Sequence, residues 1–390
     1  MRDDDHSLWK AAADSARAVA ESDSLLFLIL SQARNSRGFA GGRLATNAQR
    51  SGLLALMCAA LLGACGSSAR GELWYAGTAL CGFTHDQLGK SNSTYPAILV
   101  TSQSVRAFSD VAVDANGNVW AVGVGSNEVL RFPAAALGHS GKATPDLVIR
   151  SAALQSPGNL VFDKNGNLWV ANQQMDTGTG VSDFGSIIRF DRPQSLSGTQ
   201  NLAPAVQIRT SSASDLFRLG AIAFDAAGSL WVTSFAGMLR FNDPQGRSGQ
   251  VTVDPDAVIA ISGYPNNVYF YAMAFDGSGA LWAAAASGAS LNSIMKFSNP
   301  GPLSGRSSPR PVVTIAGPGD ILPAGGLAFD HNGNLWTANG AAILMYTRPD
   351  ALSGDVDPAP AITLNVFNQA SPSLNAHLIF HPRPVGFPVD

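Results

Sequence analysis

The sequence predicts an all-β chain, a six-bladed β-propeller whose ring is closed by its own C-terminal strand and which is preceded by a signal segment. Three observations predict it. A nine-residue pattern recurs five times, as AVDANGNVW ending at Trp120, VFDKNGNLW at Trp169, AFDAAGSLW at Trp231, AFDGSGALW at Trp282 and AFDHNGNLW at Trp336. Six of the seven tryptophans, from Trp74 to Trp336, are spaced at roughly propeller-blade intervals. The two ends of the repeat region each hold half of one further copy.

Within each copy Asp precedes Trp by six residues and Gly precedes it by three. Two short apolar runs flanking an Asp-to-Gly turn make a hairpin, with Asp bonding nearby backbone and Gly accepting positive φ. A third apolar run ending in an aromatic follows, as in Val129 to Phe132, Ile187 to Phe190, Met238 to Phe241, Ile294 to Phe297 and Ile343 to Tyr346, with Phe83 in this part in the first unit. A turn-rich connection comes next, and then a fourth run such as Leu147 to Ile149 or Val312 to Ile315. Four short strands make one blade. The first unit, Gly71 to Trp74, lacks the strand and Asp before its Gly. Ala376 to His381 is a strand with no Trp after it, and His381 stands where Asp usually does. Joining the two closes the ring and removes a free sheet edge.

Ahead of the repeats, Arg34 to Arg50 contains four arginines and no acidic residue. An apolar run from Leu53 to Leu62 follows, then Gly63-Ala64-Cys65. A basic stretch, a short apolar core and small residues are the order of a secretory signal. The run is shorter than the ~20 residues a membrane-spanning helix needs. Leu62-Gly63-Ala64-Cys65 resembles the bacterial lipobox, so Cys65 is expected to be the lipidated mature N-terminus. Gly66 rather than Asp after it points to outer-membrane sorting. The expected organisation is an N-terminal extension over 1–33, a lipoprotein signal over 34–64, a linker over 65–70 and the propeller over 71–390. For 1–33 the expectation is that translation starts downstream of Met1, the alternative being a cytoplasmic segment. The protein is thus expected to be exported and lipid-anchored, on the periplasmic side of the outer membrane or at the cell surface.

Hydrophobic residues are 46% of the 390 and charged ones 14%, enough for a large core. A net charge of −3 gives no electrostatic case for nucleic acid. There is no GxSxG, HExxH or CxxC motif, and Cys81 is alone after Cys65. Asp114 to Asn118 has the look of a calcium loop, but the Gly required at its sixth position is missing and a strand follows, so it reads as a hairpin turn.

The pattern FD-x-x-G-x-L-W-x-A-N resembles the NHL and SMP-30/gluconolactonase group of six-bladed propellers and the related streptogramin lyase-like repeats, over about residues 71–390. This architecture hosts enzymes, binders and scaffolds alike. The lactonase branch is similar in holding a metal in its central channel on Asn, Asp and Glu near the starts of inner strands. At that position this chain has Ser109, Gly158, Gly220, Tyr271, Gly325 and Ala376, none of them a good hard-metal ligand. No cofactor is therefore expected, with calcium implied only if the lactonase-like alternative holds.

One residue further along the same strands stand Asp110, Asn159 and His377, which a one-residue shift of register would bring to the channel mouth. Asn172, Ser234 and Asn339 end second strands on that face, and the alternative reading of each is capping of exposed backbone. The long connections 173–186 and 263–271, the latter with Tyr264 and Tyr271, share the face, and long loops on rigid scaffolds often carry function. The opposite face, made of repetitive turns, is expected to offer little. The resulting expectation is a monomeric module that binds a small molecule or protein through the loop face. The alternative is a lactonase/esterase-type hydrolase or a lyase acting in the channel mouth.

Overall fold

The computed structural model describes residues 72–173, 185–212, 214–261, 268–287, 292–316, 325–339, 342–366 and 377–381. The expectations for the N-terminal extension, the signal, Cys65, Tyr264 and most of the 173–186 connection lie outside the described residues.

Among the described residues the strands form six sheets, one per blade. In blade 2 the inner strand Phe108–Val113 pairs antiparallel with Val119–Gly123, which pairs with Glu128–Phe132, which pairs with Leu147–Arg150. Blades 3 to 6 repeat this order. Blade 1 is completed from the chain end: Leu378–Phe380 is its inner strand and pairs with Leu73–Ala76, matching Trp74 with Ile379. The His381 N–H donates to the Glu72 carbonyl at 2.7 Å, the same bond that Asp163 makes to Asn167 within its own turn. The expected ring closure is present, and its turn is split between the two ends of the repeat region.

Each sheet has a fifth strand that the four-strand expectation missed. A short piece of the next blade's third-to-fourth connection adds in parallel to the outer edge. Gly141–Ala143 joins blade 1, Gly198–Asn201 blade 2 and Gly249–Thr252 blade 3. Gly305–Ser307 and Gly354–Val356 continue the series. Asn92–Thr94 of blade 1 joins Ile362–Val366 of blade 6. The ring is therefore closed twice, at the inner and the outer edge. The outer pieces are mostly exposed and polar, so hydrophobic alternation does not mark them as strands.

The repeated Asp and Trp hold the blades together. In blade 3, Asp163 Oδ1 accepts the Asn165 and Asn167 N–H groups at 2.9 Å each. Its Oδ2 accepts Asn167 Nδ2 at 2.9 Å and the Trp169 indole N–H at 3.0 Å. The turn closes through Gly166 at φ 79°, a left-handed conformation that suits glycine. With its one polar atom satisfied, each Trp ring is free to be buried. It meets edge-on the Phe that precedes the Asp position in the next blade, a position held by His381 in blade 1: Trp120 with Phe162, Trp169 with Phe224, Trp231 with Phe275, Trp282 with Phe329 and Trp336 with Phe380. A cation from the third strand covers the other side, Arg131, Arg189, Arg240 or Lys296. The arginines also reach across the blade boundary. Arg131 donates to the Gln194 and Leu196 carbonyls, and Arg240 to those of Pro300, Gly301 and Leu303. In blade 1 the corresponding residue is Gly82, whose missing Cβ leaves room for the Trp74 ring.

Candidate functional site

The inner strands bring two of the expected polar residues together. His377 Nδ1 lies 3.0 Å from Asp110 Oδ1. The other carboxylate oxygen, Oδ2, accepts the Leu160 N–H at 2.7 Å. Asp110 thus joins the inner strands of blades 1, 2 and 3. It is fully buried and His377 is 5% exposed. Asn159 is also buried, on the inner strand of blade 3. The irregularity that permits this is a bulge. The pairing of inner and second strands skips between Phe108 and Asp110, between Pro157 and Asn159, and between Phe270 and Ala272. The skipped positions are Ser109, Gly158 and Tyr271, three of the six where the resemblance places metal ligands. Bulges of this kind re-aim side chains at barrel rims and sites. At Gly158 a Cβ would collide with the Gln173 side chain, and at Gly220 with the Thr233 hydroxyl, so neighbouring side chains take up the space. Among the described residues no three His, Cys, Asp or Glu side chains converge as a metal site.

The second-strand ends Asn172, Ser234 and Asn339 belong to three different blades, and each is engaged with nearby backbone. Asn172 is 2% exposed. Its Oδ1 accepts the Gln155 N–H at 3.1 Å, and its Nδ2 donates to the Ala153 carbonyl at 2.7 Å and to Ser186 Oγ at 3.0 Å. Ser234 Oγ accepts the Ala236 N–H at 3.0 Å. Asn339 Oδ1 accepts the Ala342 N–H at 2.9 Å. All three shape the hairpins and connections of the face.

Half-buried aromatics occupy the same face over blades 4 and 5. Phe217, in the connection entering blade 4, meets Phe235 of the blade 4 hairpin at 5.5 Å between ring centroids. Phe235 meets Tyr269 at 5.5 Å, and Tyr269 meets Tyr271 at 6.5 Å. Phe235 N–H donates to the Phe217 carbonyl at 2.9 Å, which joins hairpin to connection. Arg218 lies over the Phe217 ring. Tyr269 and Tyr271 start the inner strand Tyr269–Phe275, so the run leads toward the channel mouth. Beside it Asp215 is held above the usual carboxylate range by burial; Arg306 opposes the shift and Asp254 adds to it. Tyr271 was legible in the sequence as part of an aromatic segment. Phe217 and Phe235 were not, because each stands alone in its own connection and only the blade packing brings them together.

No protein-family model matches the chain, and no curated protein matches it. Among solved structures it is similar to a protein of unknown function from Bacteroides caccae, at 14% identity over 80% of this chain and 99% of that one, TM-score 0.47. It is similar to a putative 6-phosphogluconolactonase from Bacteroides uniformis, at 12% identity over 77% and 85%, TM-score 0.44. It is also similar to the extracellular domain of a putative one component system from B. thetaiotaomicron, at 15% identity over 74% of this chain and 36% of that one, TM-score 0.42. The assignment as a six-bladed propeller rests on the sheets themselves.

Proposed function

We propose that this chain is an exported, lipid-anchored propeller that binds a small molecule or protein through its loop face beside the channel mouth. The observation that carries the reading is the run Phe217, Phe235, Tyr269 and Tyr271, four half-buried rings contributed by two blades and ordered by packing. Rings fixed in this way give apolar contact area at low entropic cost, and the tyrosine hydroxyls add polar direction. Asp215 and Arg218 supply charge at the edge. Asn172, Ser234 and Asn339 contribute by holding the backbone of the face. Asp110 and His377 lie beneath it, shielded from solvent, and support the inner strands.

A thermal-shift screen of the full chain against glycans, cyclic peptides and aromatic amines tests the reading. Any ligand found is compared on Tyr271→Ala, Phe235→Ala and the turn variant Asn332→Ala. Loss of about tenfold or more in affinity is expected in the first two, since buried aromatic anchors dominate binding energy. Full affinity in both, with loss in Asn332→Ala, would place the site on the other face.

A further inference from the structure

The turn face is not featureless. Between blades 2 and 3 it holds a cleft of about 850 Å³, within the size range of ligand pockets. Its floor includes the buried Val113 and Phe162, and its rim Asn116, Lys164, Arg192 and His381. We propose that this cleft binds a small polar molecule through an anionic oxygen group, held between Lys164 and Arg192.

The charge arrangement carries the proposal. Two carboxylates border the cleft, Asp114 and Asp163, each 4% exposed. Asp163 accepts four donors, two backbone N–H groups and two side-chain ones. Asp114 accepts the Asn116 and Asn118 N–H groups, Asn118 Nδ2 and the Trp120 indole. A carboxylate offers about four acceptor positions. Both are occupied to that limit by their own turns, so neither has acceptor capacity for a cationic ligand, and each charge is already met by four N–H dipoles. The third turn at this corner belongs to blade 1, where His381 replaces the repeat Asp and removes a negative charge.

Lys164 and Arg192 differ from the cations that the third strands place over the tryptophans. Arg131, Arg189 and Lys296 pair with Asp146, Asp191 and Asp276 and lie over tryptophan rings. Lys164 and the Arg192 guanidinium have no carboxylate, hydrogen-bond or ring partner among the described residues. Around an apolar floor they leave strong donors turned to solvent and no strong acceptor in competition. An oxyanion satisfies that set, with the guanidinium able to hold two oxygens at once.

The test uses calorimetric titration of the full chain at low ionic strength with inorganic phosphate and, separately, with citrate. Saturable binding of either is expected. Phosphate alone identifies a phosphate-type group and citrate alone a carboxylate. Binding is expected to weaken about tenfold or more in the Lys164→Gln/Arg192→Gln double variant. It should be unchanged in Arg310→Gln, which removes an exposed cation elsewhere. Both substituted positions of the double variant are exposed, so it keeps the fold. No saturable binding of either anion, or equal weakening in the double and Arg310 variants, overturns the proposal.

Discussion

Nδ1 of His377 and Oδ1 of Asp110 lie 3.0 Å apart in the interior of the ring, although one residue belongs to the closing strand and the other to the first complete repeat. The contact ties the C-terminal strand to blade 2 at the level where Asp110 also takes the Leu160 N–H of blade 3. Removing one partner of a buried pair leaves the other without compensation, which is far costlier than losing an exposed pair. His377→Ala is therefore expected to destabilise the propeller by about 3 kcal/mol. The double variant His377→Ala/Asp110→Asn should recover part of that loss, because the substituted amide keeps an acceptor for the Leu160 N–H and carries no charge. Equal denaturation midpoints for wild type and His377→Ala would show that the pair contributes nothing.

The two closures differ in weight. The inner strand Leu378–Phe380 buries all three side chains and covers Trp336 through Phe380. Truncation after Asn375 is expected to abolish cooperative unfolding or to cause aggregation, since it opens a sheet edge and exposes apolar surface. The outer strand Asn92–Thr94 is polar and short. Ser93→Pro there should cost less and leave a folded ring. Circular dichroism melts of both variants check this; an unchanged melt after truncation would contradict closure by the C-terminal strand.

Cys81 is fully buried beside Tyr75, and burial pushes its thiol from the ordinary 9.0 to about 12. Burial raises Tyr75 as well. In the folded state the thiol stays protonated between these values while the unfolded chain has released its proton. The unfolded state then binds fewer protons, so stability falls as pH rises above 9.0, by at most about 1.4 kcal/mol per unit for this group. With Cys58 and Cys65 changed to Ser, alkylation of the folded protein should stay slow from about pH 7 to 10 and accelerate only on unfolding. Fast alkylation under native conditions at about pH 8 would show an accessible thiolate.

The anchor is tested at Cys65. Cys65→Ser is expected to accumulate unprocessed precursor and to lose the membrane attachment that a lipid on this residue would provide. Fractionation that finds the variant as membrane-bound as wild type, with no precursor, would remove the anchor from the proposed function.

How much was legible follows from the range of each interaction. The Asp-to-Trp spacing determined the turn, the hairpin and the blade count, because every partner lies within six residues. The two half-repeats determined inner closure for the same reason: His381 and Glu72 to Trp74 are one local motif cut in two. The sequence also placed Asp110, Asn159 and His377 one position from the expected ligand site, but a strand pattern does not reveal a bulge, and the skipped Ser109 and Gly158 decide what faces inward. Only tertiary structure decided the fifth strands, whose polar residues carry no alternation and are held by a neighbouring blade's edge. It also decided the Phe217 to Tyr271 aromatic run and the Lys164 and Arg192 cleft. Those sites combine side chains from different blades or from separate connections, and their distances are set by how sheets pack around the ring, a relation that no local spacing encodes.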